Sequence, residues 1–116
     1  MNLIAVEATI TLSNPAARAG LVEASIPFQQ GTREDEPGCL VYCFAADPVH
    51  DDRIQVYELW ESADALDAHF HHPNYFAMRD LLMQSGIVIR ATSRKLRVDA
   101  AAPVYGSDGV ATASFD

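Results

Sequence analysis

The pattern of apolar and polar residues predicts four β-strands. In some segments the two kinds of residue alternate, and in one segment nearly all residues are apolar. In residues 2–12 every second residue is apolar, which is typical of a half-buried strand. Residues 39–46 are apolar almost throughout, which indicates a strand that is covered on both faces. Residues 53–61 alternate again, and residues 87–98 carry basic side chains that favour a wet or interfacial edge.

Apolar residues at helical spacing occupy the two stretches between these strands. The first helix is predicted to begin after the cap and proline at 13–15, and Pro27 is expected to kink it or end it early because proline lacks an amide donor. The second helix begins at the capping residue Ser62, breaks at residues 72–73 and then resumes until Gly86.

The resulting order is β-α-β-β-α-β, which predicts an α+β, ferredoxin-like fold with an antiparallel four-stranded sheet. This domain is expected to span residues 2–98. Residues 99–116 are rich in Ala, Ser and Gly and have no period, so we expect a flexible tail or an arm that contacts a partner.

The formal charge of −8 argues against nucleic acid and against an anionic membrane surface as partners, because both need surplus basic residues. A hydrophobic content of 49% is high for so short a chain, which favours a homodimer that covers one face of the sheet. The first residues lack a secretory signal, and no apolar run approaches the roughly 20 residues of a membrane span, so a cytoplasmic location is predicted.

Cysteine and histidine residues do not form a recognisable redox or metal motif. Cys39 and Cys43 lie in one predicted strand, about 13 Å apart at four strand steps, and are expected to be reduced thiols. A cluster of histidines could bind a metal ion. No common zinc or iron ligand set is complete, however, so no metal is predicted. That cluster consists of His69, His71 and His72, with His50 and Asp67 as additional candidates.

Two further segments resemble the antibiotic-biosynthesis monooxygenases, including the quinol monooxygenases. The first is Glu36-Pro37-Gly38-Cys39-Leu40-Val41-Tyr42 with Asp47-Pro48, and the second is Tyr57-Glu58-Leu59-Trp60-Glu61-Ser62, Ala65-Leu66-Asp67-Ala68-His69, Pro73 and Tyr75. The resemblance implies a dimeric α+β barrel, with a pocket between each sheet and its helices. It also implies oxygenation of quinols or anthrones without a metal or flavin, so no cofactor is expected.

The resemblance also suggests which residues bind the substrate. The tryptophan of the anthrone oxygenases matches Trp60 and their arginine falls near Arg79, whereas the asparagine and tyrosine positions hold Val56 and Leu66 here. Two polar groups of that pocket are therefore missing. The expected substrate-binding residues are Trp60, Val56, Leu66, Tyr75, Phe76 and Arg79.

Three residues are candidates for catalysis: His69, Glu58 and Trp60. His69 can act as a base toward a phenolic proton, or it is a hydrogen-bonded core histidine. Glu58 can orient His69, serve as a base with a raised pKa, or form an ion pair with Arg79 or Arg90. Trp60 is either a pocket wall whose indole N–H contacts a bound oxygen or an ordinary core residue.

The function predicted from these residues is a homodimeric, cofactor-independent monooxygenase that oxidises a hydroxylated aromatic compound with O₂. Two other classes remain open. One is an isomerase of a small phosphorylated signalling compound, which requires a basic phosphate subsite. The other is a dimeric domain that binds a small molecule without catalysis, which the loss of the two polar positions favours.

Overall fold

A computed structural model describes residues 2–116, which form one four-stranded antiparallel sheet with helices against one face. The elements are β1 (Leu3–Leu12), α1 (Arg18–Asp35), β2 (Cys39–Ala46), β3 (Arg53–Trp60), α2 (Ala63–His69), α3 (Pro73–Gln84) and β4 (Val88–Val98). The strand order is β2-β3-β1-β4, so the ferredoxin-like prediction is confirmed. Among residues 2–116, no helix is both long and apolar enough to cross a bilayer.

Helix α1 continues through Pro27 to Asp35, so the prediction of an early end is wrong. Contacts with the edge strand β2 stabilise the half of the helix that follows the proline. The Gln29 side chain donates to the Phe44 carbonyl at 3.0 Å and accepts from the Phe44 amide at 2.9 Å. Arg33 Nε donates to the Tyr42 carbonyl at 2.7 Å. These bonds offset the amide donor that Pro27 lacks.

The core lies between the helices and the sheet, and it has two centres. One cluster lies under α2 and the start of α3, and it consists of Ile4, Tyr42, Trp60, Leu66 and Met78. The other lies nearer the start of α1, and it consists of Ile10, Leu12, Leu21, Ile54 and Val56. Leu82 of α3 packs against both clusters, so this helix joins the two halves of the core.

The opposite face of the sheet carries no helix. Strand register places an apolar row across all four strands on this face, formed by Val41, Leu59, Ala5 and Leu96. The next row contains Cys43, Tyr57, Glu7 and Arg94, and Tyr57 is 44% exposed. Strand β4 forms one edge of the sheet and its side chains are largely exposed, as the basic residues predicted.

Residues 99–116 are exposed throughout, and within them a single bridge joins Tyr105 to Ala111. Gly109 has a φ of 74°, a left-handed value that glycine adopts without strain, and it turns the chain between the two bridged residues. The division into a domain of residues 2–98 and a partner-contacting tail remains a prediction.

Arg18 at the start of α1 stabilises the loop between β2 and β3. Its Nη1 donates to the carbonyls of Asp47, His50 and Arg53 at 2.9, 2.7 and 3.1 Å.

We expect Arg18→Met to lower the free energy of unfolding by about 1–3 kcal/mol in urea titrations, because three carbonyl groups lose a charged donor. Arg97→Met, at an exposed position of β4, is the matched control and should change it by less than about 0.5 kcal/mol. Equal losses in the two variants would contradict this role of Arg18.

Candidate active site

The end of β3 and the inner face of α2 bring Trp60 and His69 together in the core. Ser62 caps α2 by accepting a hydrogen bond from the Ala65 amide at 3.1 Å. Leu66 and His69, three residues apart on that helix, then both point toward the sheet. The Trp60 and His69 ring centroids are 4.6 Å apart, and the two side chains are 0% and 2% exposed. The end of β3 and the inner face of α2 therefore meet at this pair.

Glu36, which was not among the candidate site residues predicted from the sequence, is the hydrogen-bond partner of His69. Its Oε1 lies 2.7 Å from His69 Nδ1, and both side chains are buried. Its Oε2 accepts from Asn74 Nδ2 at 3.2 Å, and His72 Nδ1 lies 3.8 Å away. Among the described residues Glu36 has no Lys or Arg partner, so uncharged or weakly basic groups surround this carboxyl.

A signal for Glu36 was present in the sequence. Three consecutive acidic residues lie at the end of helix α1: Glu34 and Asp35 are its last residues, and Glu36 follows them. A helix C-terminus carries partial negative charge and disfavours carboxylates there, so a specific partner for one of them was to be expected.

Glu58 does not orient His69, and it forms no ion pair with Arg79 or Arg90, so both of these predictions are wrong. Its Oε1 instead accepts a hydrogen bond of 3.0 Å from the Trp60 indole Nε1. The two residues alternate on β3 and therefore share a face of the sheet, so they bond directly. The indole N–H that was expected to contact a bound oxygen is consequently engaged by Glu58.

Burial controls the protonation of both candidate bases. Burial raises the pKa of Glu58 to about 7, and the nearby Glu36 charge adds to this, whereas the indole hydrogen bond opposes it. Burial also lowers the pKa of His69 below its usual value, although the bond to Glu36 and its charge oppose the shift. A histidine with this lowered pKa is neutral at pH 7, so one ring nitrogen has a free lone pair.

Aromatic rings form a series of contacts from His69 to the surface. Tyr75 lies edge-on to His69 with centroids 5.4 Å apart, and Phe76 lies 5.5 Å from Tyr75. The Arg79 guanidinium lies 5.0 Å from the Phe76 ring centroid and 3.4 Å from an Asp80 oxygen. Tyr75 is half-buried, whereas Phe76 and Arg79 are exposed, so these three residues lead outward from the buried pair.

A cleft of about 410 Å³ separates α3 from β4. Its lining residues are Ile10, Arg79, Leu82, Met83, Val88 and Ala91. Leu82 also packs against the core cluster that contains Trp60 and Leu66, but neither Trp60 nor His69 lines the cleft. Val56 is buried in the other core cluster. Of the residues predicted to bind substrate, Arg79 thus lines the cleft, whereas Val56, Leu66 and Trp60 are core residues.

The remaining histidine and cysteine residues are dispersed. His71 is exposed and its Nδ1 lies 2.9 Å from the Asp67 carbonyl, and His72 Nδ1 accepts from the Asn74 amide at 3.1 Å. Within residues 2–116, no group of three or more His, Cys, Asp or Glu side chains is arranged to hold a metal ion. Both cysteines are free thiols, and burial raises the pKa of Cys39 to about 11, which disfavours its thiolate.

The sequence profile of the family described as antibiotic biosynthesis monooxygenase matches residues 3–81. The chain belongs to this family. The matched region contains both members of the buried Trp60–His69 pair, together with Glu36, Glu58 and Arg79, whereas β4 and the tail lie outside it. No functionally curated protein matches the chain.

Several solved structures share the fold of this chain. A candidate antibiotic biosynthesis monooxygenase from Caulobacter crescentus CB15 is 26% identical with a TM-score of 0.74, covering 84% of this chain and 90% of that chain. One from Deinococcus radiodurans is 22% identical with a TM-score of 0.75, covering 89% and 99%. The Mycobacterium tuberculosis protein Rv0793 is 24% identical with a TM-score of 0.66, covering 90% and 98%. At these identities the last two show the fold alone.

The raised pKa of Glu58 predicts a distinctive pH dependence of stability for this family member. Between its ordinary value of 4.5 and about 7, the unfolded chain ionises Glu58 while the folded chain keeps the proton. The folded state then binds more protons, so stability falls as pH rises through this window. His69, whose pKa is lowered, acts oppositely and costs stability as pH falls below about 6.5.

Glu58→Gln removes the Glu58 contribution while its amide oxygen can still accept from the indole. The unmodified protein loses stability as pH rises from 4.5 to 8, and the variant should not show this loss. We therefore expect the difference in free energy of unfolding, variant minus unmodified protein, to increase by about 2–3 kcal/mol from pH 4.5 to pH 8. Urea titrations at several pH values measure this difference, and Glu61→Gln, at an exposed position, is the control. Parallel stability curves for E58Q and the unmodified protein would show that Glu58 ionises normally.

Proposed function

We propose that this protein is a homodimeric, cofactor-independent monooxygenase that oxidises a hydroxylated aromatic compound with O₂. The observation that carries the proposal is the buried His69, which is hydrogen-bonded through Nδ1 to Glu36 and whose ring centroid lies 4.6 Å from that of Trp60. Family membership supports oxygenation as the reaction class. The cytoplasmic location remains a prediction from the sequence.

A flat aromatic substrate fits the chemistry of the α3–β4 cleft. Its lining is mostly aliphatic, and Arg79 supplies one positive charge at the position that the sequence resemblance assigned to a pocket arginine. Neither Trp60 nor His69 lines this cleft; Leu82 lines it and also packs against the core cluster that contains Trp60, and Tyr75 lies edge-on to His69. The proposal therefore requires a side-chain movement, with Tyr75 and Leu82 as the groups that admit the substrate edge to His69.

The proposed reaction begins when neutral His69 removes a phenolic proton, which leaves an electron-rich substrate anion. One electron passes from this anion to O₂, and the substrate radical and superoxide combine by forming a C–O bond. His69 returns its proton to the peroxide, which loses water to leave a carbonyl group. One oxygen atom thus enters the product and the other forms water, while the protein contributes desolvation, positioning and proton transfer.

The open face of the sheet supports a homodimer. The apolar row Val41, Leu59, Ala5 and Leu96 runs across all four strands without a covering helix. A second copy would bury this row and cover the second face of strand β2, whose apolar run predicts burial on both faces.

Sedimentation equilibrium should then give the mass of two 12.7 kDa chains, and Leu59→Lys should lower the measured mass toward that of one chain. A stable monomer at micromolar concentration would contradict the dimer.

Oxygen uptake tests the reaction. The purified protein, treated with chelator and freed of flavin, is screened with quinols and anthrones, and we expect one O₂ consumed for each product molecule formed. Binding of these compounds without oxygen uptake would instead support the non-catalytic binding domain. Turnover of phosphorylated carbonyl compounds would support the isomerase, although Arg79, the one basic residue lining the cleft in the described chain, is already paired with Asp80.

A further inference from the structure

The turn after α1 places Glu36 directly under α2. Gly38 has a φ of 85°, and a Cβ built there would lie 2.6 Å from the Ala65 Cβ, so only glycine allows this close approach. Ala65 and His69 are four residues apart and share a face of α2. The Glu61 amide donates to the Gly38 carbonyl at 2.8 Å and joins the turn to the end of β3. The backbone therefore fixes the position of Glu36 relative to His69.

We propose that Glu36, itself held by Asn74, is the positioning residue that keeps the His69 proton on Nδ1 and leaves the Nε2 lone pair free as the catalytic base. A carboxylate accepts hydrogen bonds and donates none, so in the 2.7 Å contact we assign the donated proton to Nδ1. Nε2 makes no hydrogen bond with any group in residues 2–116. The catalytic part of this assignment rests on the proposed function, whereas the tautomer does not.

Asn74 determines which way a side-chain amide at position 36 would point. Asn74 Nδ2 donates to Glu36 Oε2, and a Cβ built on Gly31 would lie 3.0 Å from Asn74 Oδ1, so α1 and α3 pack closely at this residue. In Glu36→Gln, the glutamine oxygen should face the Asn74 donor and its NH₂ should face His69. An NH₂ group donates to Nδ1 and therefore moves the histidine proton to Nε2.

The tautomer is measured by ¹⁵N NMR of histidine-labelled full-length protein. We expect the protonated nitrogen of His69 to be Nδ1 in the unmodified protein and Nε2 in Glu36→Gln. In the double variant Glu36→Gln/Asn74→Asp, the aspartate accepts from the glutamine NH₂, the glutamine oxygen accepts from Nδ1–H, and the original tautomer should return. Glu34→Gln, at an exposed position near the same helix end, should leave the His69 spectrum unchanged.

Turnover provides the second measurement. With a substrate identified by oxygen uptake, E36Q should lower kcat about tenfold to a hundredfold with little change in KM, and the double variant should recover most of that loss. The proposal is overturned if Nε2 carries the proton in the unmodified protein, or if E36Q keeps the Nδ1–H tautomer and full kcat. If E36Q does not fold, the tautomer of the unmodified protein still decides. Absence of any oxygenase substrate would refute the proposed function and leave the tautomer result standing.

Discussion

Replacing Trp60 with alanine is expected to lower the free energy of unfolding by about 3–5 kcal/mol. The indole is 0% exposed and belongs to the core cluster under α2, where it packs with Ile4, Tyr42 and Leu66. Alanine would leave a large cavity and would also remove the N–H donor that Glu58 accepts at 3.0 Å. Urea titration monitored by far-UV circular dichroism measures the loss.

Trp60→Phe separates these two contributions. It keeps most of the ring volume but lacks the indole N–H, so we expect a loss of about 1–2 kcal/mol. The indole hydrogen bond lowers the pKa of Glu58, so both variants should raise that pKa further. If Trp60→Ala costs less than about 1 kcal/mol, the side chain is not the packing centre that its burial indicates.

The sheet could be predicted from the sequence because its signal is local. Alternation along β1 and β3 places Ile4 and Trp60 on the helix-covered face, and the structure pairs these two residues directly. The continuation of α1 past Pro27 could not be predicted in the same way. It depends on Gln29 and Arg33 bonding to the backbone of β2, and those contacts exist only after the strand has docked against the helix.

The candidate site was predictable to the extent that its residues lie on regular elements. His69 follows from the spacing on α2, and its neighbour Trp60 follows from alternation on β3. Glu36 lies in a turn, where composition predicts conformation but not the direction of a side chain. Its contact with His69 joins residues 33 positions apart and depends on the close approach of Gly38 to α2. The periodicity of apolar residues in the sequence does not predict such a contact.

Glu58 shows how one buried group can mislead. A buried carboxyl is normally matched by a cation, which made Arg79 and Arg90 the expected partners. In the structure Arg79 bonds to Asp80, and Glu58 has only the indole N–H as a donor. The missing cation is why burial raises the pKa of Glu58 so far, and it leaves this carboxyl protonated for part of the time at pH 7.

His69→Gln is expected to lower kcat/KM for a confirmed aromatic substrate by about 10²–10⁴, which is the usual contribution of a general base. Glutamine approximates the histidine volume but cannot accept and return a proton, so kcat should fall while KM changes little. His71→Gln is the matched control, because His71 is exposed two residues away and bonds only to the Asp67 carbonyl. Circular dichroism should show both variants folded. Unchanged oxygen uptake in His69→Gln would exclude His69 as the base and leave Glu58, with its pKa of about 7, as the group to test next.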